Sequence, residues 1–114
     1  MNKQELEIKC IKILGWEIKK GFFVTLESYQ RYGGFIFTPD GQEAMRQHLM
    51  EQPKFRYVEV ATFISDGEPF HGVDIDFDIE NPKARPNKLF YREHKELGMA
   101  WALAFVEWGE SNDN

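Results

Sequence analysis

The sequence predicts an α+β fold, a single domain in which three helices pack on a small antiparallel β-sheet. Three observations carry this. The chain has 114 residues, the length of one domain. Helix start and stop residues bracket segments near the beginning and the middle, and an unbroken apolar run from Met99 to Val106 marks a buried core helix near the end. Between the second and third lie two runs rich in Val, Ile, Phe and Tyr, joined by Ser65-Asp66-Gly67-Glu68-Pro69, the pattern of a hairpin. Hydrophobic residues make up 42% of the chain, enough for a core that hides roughly 65% of the unfolded surface.

The first segment fits two periods. Leu6, Ile8 and Cys10 alternate with Glu7 and Lys9, as in a strand. Leu6, Cys10, Ile13 and Leu14 also share one helical face. The ends decide for a helix over 3–14. Asn2 followed by Glu5 has capping-box spacing, and Gly15 stands where a helix C-terminus wants it.

Residues 16–37 read as extended and rich in turns. Lys19-Lys20-Gly21 precedes Phe22-Phe23-Val24-Thr25-Leu26, and Tyr32-Gly33-Gly34 precedes Phe35-Ile36-Phe37. Thr38 is a good N-cap with Pro39 in the first helical position, so a helix is expected from Pro39 to about Glu51. Pro53 stops it, and Ala44, Met45 and Leu49 face inward.

Strands are expected over 55–64 and 70–79. Pairing Ser65 with Phe70 gives a continuous apolar face and sets Asp76 opposite Glu59. Pairing Ile64 with Phe70 would set Asp76 opposite Val58, because a one-residue slip exchanges the faces. The first register is preferred. Residues 80–88 read as a loop with two prolines and three basic residues. The last helix is expected from about Arg92 to Trp108, with a tail over 110–114. Gly98 inside that helix implies a close backbone contact, expected against the sheet.

Composition excludes several function classes. No apolar run approaches the roughly 18 residues of a membrane span. The opening residues are too charged for a signal peptide. A single Cys excludes an internal disulfide framework, and Cys10 reads as a small buried hydrophobe in a reducing, cytoplasmic compartment. The net charge of −5 argues against general nucleic-acid binding. The charge is uneven: nine basic and seven acidic residues up to position 57, five and twelve beyond it. Between Arg56 and Lys83 there is no basic residue.

That acidity centres on Val73-Asp74-Ile75-Asp76-Phe77-Asp78-Ile79-Glu80. In a strand, Asp74, Asp76, Asp78 and Glu80 line one face and the apolar residues line the other. Three readings stay open. The row is a solvated face opposite the core; or it is a binding surface whose carboxylates imitate a row of phosphates; or it is a divalent-metal site, with one or two carboxylates and water holding the ion. The third would make the protein a metal-dependent hydrolase or nuclease using Asp74, Asp76 and Asp78. The absence of a Glu-x-Lys spacing after Glu80 counts against it. A sheet open on one face is expected, with Glu59 beside the row.

Other candidates are weaker. Phe22, Phe23, Tyr29, Tyr32, Phe35 and Phe37 form an aromatic cluster that is either core or an interface, where Arg31 between Tyr29 and Tyr32 would take part. In an alternative reading, Lys83, Arg85, Lys88 and Arg92 are the basic groups that sequester a small anionic signalling molecule. His48, His71 and His94 match no catalytic or metal motif.

Three segments carry a resemblance. Asn2-Lys3-Gln4-Glu5 through Ile13-Leu14-Gly15-Trp16 is a helix ending in a hydrophobic-Gly-Trp triplet. Phe37-Thr38-Pro39-Asp40 leads into an amphipathic helix with Ala44-Met45-Arg46. A strand–turn–strand then precedes an Ala-rich helix from Leu97 to Val106. In these the chain resembles the small phage proteins grouped as the phage ABA sandwich domain. It departs from them in the aromatic insertion at 17–36 and the basic loop at 80–88. The resemblance implies a phage or prophage accessory protein in the cytoplasm of a bacterial host, with no catalytic residues. Small phage proteins often disable host defences such as restriction or CRISPR. The expected partner is a host protein with a basic surface, met by Asp74, Asp76, Asp78, Glu80 and Glu59. No cofactor, direct nucleic-acid contact or membrane contact is expected, and a homodimer is compatible with this reading.

Overall fold

The computed structural model describes residues 2–15, 34–78 and 87–112. Helix α1 spans Lys3–Leu14. Its caps are those expected: Asn2 Oδ1 accepts the Glu5 N–H at 2.8 Å, and the Gly15 N–H donates to Lys12 O. Leu6, Cys10 and Ile11 are buried on one face, which settles the period as helical. Glu7 is buried there too.

Phe35–Phe37, read from the sequence as extended, is a short 3-10 turn. Helix α2 follows over Pro39–Met50, with Thr38 Oγ1 accepting the Gly41 N–H at 3.2 Å. Met45 and Leu49 are buried.

The sheet contains β1 (Phe55–Ser65), β2 (Glu68–Asp78) and β3 (Asn87–His94), antiparallel in that spatial order. The β1–β2 hairpin turns on two residues, Asp66 (φ 52°) and Gly67 (φ 77°). Two left-handed residues in a two-residue loop match the twist of the strands. This tight turn pairs Phe63 with Phe70, so Val58 meets Ile75 and Glu59 meets Asp74. The expected pairing of Ser65 with Phe70 is corrected by two residues. An even slip keeps every side chain on its face, so the apolar face survives the correction.

Strand β3 replaces the end of the expected loop and the start of the expected helix. Residues 87–94 are rich in charge, which hides a strand that places Phe90 in the buried core. Pairing with β2 decides it. Helix α3 then runs over Leu97–Asn112. The Glu96 N–H donates to His94 Nδ1 at 2.9 Å where the chain passes from strand to helix. Residues 110–112, read as the start of a polar tail, continue the helix, and Glu110 Oε1 pairs with Lys9 Nζ at 2.8 Å.

Among the described residues the fold is three α-helices and a three-stranded antiparallel sheet. Helix α3 is the centre of the core. Val73, Ile75, Phe77 and Phe90 meet it from the sheet, and the Phe77 ring stacks on Trp108 with centroids 5.6 Å apart. Helix α1 packs against α3, with Cys10 Sγ lying 3.8 Å from Ala102 O. A Cβ at Gly98 would lie 2.4 Å from Phe37 O, so the close approach implied by this glycine is made to the 3-10 turn and not to the sheet.

Candidate functional site

The even-numbered residues of β2 face away from α3. Asp74, Asp76 and Asp78 lie on this outer face as expected. The register adds their neighbours. Glu59 and Tyr91 flank Asp74 from β1 and β3, while Tyr57 flanks Asp76 from β1. Directly opposed side chains in such pairs have Cβ atoms about 4.5–5.5 Å apart. Glu80, Tyr29, Arg31 and Tyr32 lie outside the described residues, as do Phe22, Phe23, Lys83 and Arg85.

The row is not uniformly solvated. Asp78 is exposed, Asp74 is half-buried, and Asp76 has 0% exposure. This corrects the expectation of a solvent-facing row, because the middle carboxylate sits on the central strand between two partners. Among the described residues neither oxygen of Asp76 accepts a hydrogen bond, nor does Asp74 Oδ1. The Tyr57 phenol lies close enough to Asp76 for its charge and a weak hydrogen bond to act on it, but among the described residues no donor meets Asp76 in good geometry.

Among the described residues a single cation reaches the row, and the sequence pattern conceals it. The ladder slips between Phe55 and Tyr57, which pair with Phe77 and Asp76 and leave Arg56 as the extra residue. Such a bulge re-aims a side chain. Arg56 Nη1 lies 3.8 Å from Asp76 Oδ2, and Nε lies 3.5 Å from Asp78 Oδ1. Neither contact is a short hydrogen bond.

The electrostatics follow from this crowding. The Asp74 pKa is raised by burial first, then by the charges of Asp76 and Glu59. Tyr57 is raised by partial burial, then by Asp76 and Asp74. Tyr91 is raised first by its hydrogen bond to Glu93 Oε2 at 2.9 Å, with Asp74 contributing. Tyr91 lies across Gly72, where a Cβ would come within 2.5 Å of the phenol oxygen. Gly72 therefore makes room for the ring. Tyr57, Tyr91 and Arg56 were not singled out from the sequence. Only the register and the bulge bring them to the row.

The other chemistries find less. Among the described residues no three His, Cys, Asp or Glu side chains come together to hold a metal ion. Arg92 lies in β3, and its Nε pairs with Glu107 Oε2 at 2.5 Å. It lines an open groove of about 430 Å³ with Glu107 and Glu110, an acidic setting for an anionic ligand. His48 packs edge-on against Phe105 and Trp108, and burial lowers its pKa. Thr62 Oγ1 and His71 Nδ1 are 3.0 Å apart. Cys10 is buried, and burial followed by the Glu7 charge pushes its thiol far above the ordinary range.

Fold and site define an α+β protein with an acidic, tyrosine-flanked sheet face. No protein family, curated protein or solved structure matches the chain. Among the described residues no helix is long and apolar enough to cross a membrane.

Proposed function

We propose that the protein is a non-enzymatic binding module that engages a basic protein surface through Asp74, Asp76, Asp78 and Glu59. The observation that supports this is the placement of four carboxylates together on the sheet face opposite the core, with Arg56 pairing to only two of them and at long distances. A like-charged row costs stability in a strand. An incoming cationic surface relieves that repulsion, so the free energy lost in the isolated protein returns on association.

The finer reading rests on the resemblance to small phage proteins. In it the protein is a phage or prophage accessory factor in a bacterial host cell. It occupies a basic surface of a restriction or CRISPR component, which then cannot engage its nucleic acid. Occlusion of this kind needs no catalytic group.

The test is capture of the partner from host lysate, followed by binding measurements on the purified pair. Association is expected to weaken about tenfold or more between low and high salt, because facing charges set on-rate and salt response. The folded Asp74→Asn/Asp76→Asn/Asp78→Asn variant is expected to lose most of the affinity. Binding that is unchanged by both salt and the triple variant overturns the reading. Plating efficiency of phage on defended hosts, with and without the protein, tests the anti-defence role.

A further inference from the structure

Asp76 is the anomaly of the outer face. A buried carboxylate ordinarily accepts hydrogen bonds or meets a cation at close range, because desolvating the charge is otherwise too costly. Asp76 has 0% exposure, among the described residues accepts no hydrogen bond, and has Arg56 only at 3.8 Å from Oδ2. Its neighbour on the same face, Asp74, also has a buried oxygen without a partner. Among the described residues the negative potential of the pair is met only by Arg56 at long range on the Asp76 side, and it emerges where Asp74 is half-exposed. At that point two aromatic rings stand in the open: Tyr57 is 39% exposed and Tyr91 is 50% exposed. Tyr91 is fixed against Gly72 and by its bond to Glu93. Glu59 closes the β1 side of the row.

We propose that Asp74, backed by Asp76 and flanked by Tyr57 and Tyr91, is a seat for one guanidinium group, an arginine side chain on the surface of the basic partner. This deepens the reading given above and rests on it. The chemistry selects the guanidinium over other cations. It is planar and weakly hydrated, donates directed N–H bonds to a carboxylate, and stacks on tyrosine faces. A lysine ammonium is a strongly hydrated point charge that gains less from the rings. A hard divalent ion needs about six oxygen ligands in close order, and no third acidic group converges among the described residues. Asp76 is a positioning residue here. It touches no ligand, and its charge, met by Arg56 only at 3.8 Å, strengthens the hold of Asp74. Arg56 does not fill the seat, because its guanidinium is directed at Asp76 and Asp78.

The test is an NMR titration of the intact protein with N-acetyl-arginine amide, with N-acetyl-lysine amide and sodium chloride at matched ionic strength. The arginine compound is expected to shift the amides around Asp74 and the rings of Tyr57 and Tyr91 saturably. The lysine compound is expected to bind about fivefold more weakly or worse. Asp74→Asn abolishes the arginine effect, and Asp76→Asn weakens it without moving the site. Equal response to arginine and lysine, or shifts elsewhere, overturns the seat, and needs no variant to fold. If the seat fails while partner binding stays salt-dependent and sensitive to the triple variant, the binding-module reading stands without it. If arginine binds at Asp74 but partner binding is indifferent to salt and to the triple variant, that reading fails, and with it the assignment of the seat to a partner.

Discussion

The carboxylate of Glu7, fully buried on α1, accepts the backbone N–H of Ile36 at 2.9 Å and that of Gly34 at 2.7 Å. One side chain thus satisfies two backbone donors at the start of the 3-10 turn and ties the first helix to a segment 27 and 29 residues away. Glu7→Ala is expected to destabilise the fold by about 2–4 kcal/mol, since both donors are left without their acceptor. Glu7→Gln keeps one acceptor oxygen and should cost less. Urea denaturation of the three proteins checks the order.

The same turn determines the fate of Gly98. Ala is ordinarily the better helix residue by about 1 kcal/mol. Here its Cβ would lie 2.4 Å from Phe37 O and 2.8 Å from Phe37 Cα, both backbone atoms. Gly98→Ala is expected to destabilise by about 2–3 kcal/mol, the usual scale of overpacking. Equal or greater stability in a urea melt would show that α3 and the turn separate easily.

Asp74 gives a pH dependence of definite sign. Burial, then Asp76 and Glu59, raise its folded pKa above the unfolded value of about 3.9. The folded protein therefore holds this proton more tightly than the unfolded chain. The contribution favours folding below the unfolded value and is lost as pH rises through the raised folded value. Asp74→Asn removes the cost of the ionised form. Solvent screening of this half-exposed group keeps the effect to ~0.5 kcal/mol, so a Tm rise of about 2–4 °C is expected at pH 7 in a domain of this size. Little rise is expected at pH 3. Thermal melts of both proteins at the two pH values decide it, and an equal rise at both would show that charge is not the cause.

Cys10 should be inert while the fold is intact. Its sulfur is buried against Ala102 O, and its thiol is held protonated. The thiolate is the reactive species. Native protein at pH 8 is expected to react with a thiol reagent at least ~100-fold more slowly than protein in denaturant, with the rate following the population of opened molecules. Fast modification of the native state would place Cys10 at the surface.

Local chemistry is legible in the sequence. The caps Asn2, Gly15 and Thr38 with Pro39 act within a few residues of their targets, so spacing alone locates α1 and the start of α2. The alternation through β2 likewise separates Val73, Ile75 and Phe77 from Asp74, Asp76 and Asp78, since successive side chains of any strand point to opposite faces. Acidic character, the hairpin and the core helix around Phe105 follow from short-range pattern.

Long-range pairing decided the rest. A charged run such as Asn87–His94 becomes a strand only because β2 offers it an edge. Asp66 and Gly67 form so tight a turn that the register moves by two residues, and the bulge at Arg56 brings a cation to Asp76 that strict alternation would send elsewhere. Burial is a property of what lies across a strand, not along it. For this reason the sequence determined that Asp76 belongs to an acidic row, while only the tertiary structure decided that it is the buried member of that row, faced by Arg56 at long range.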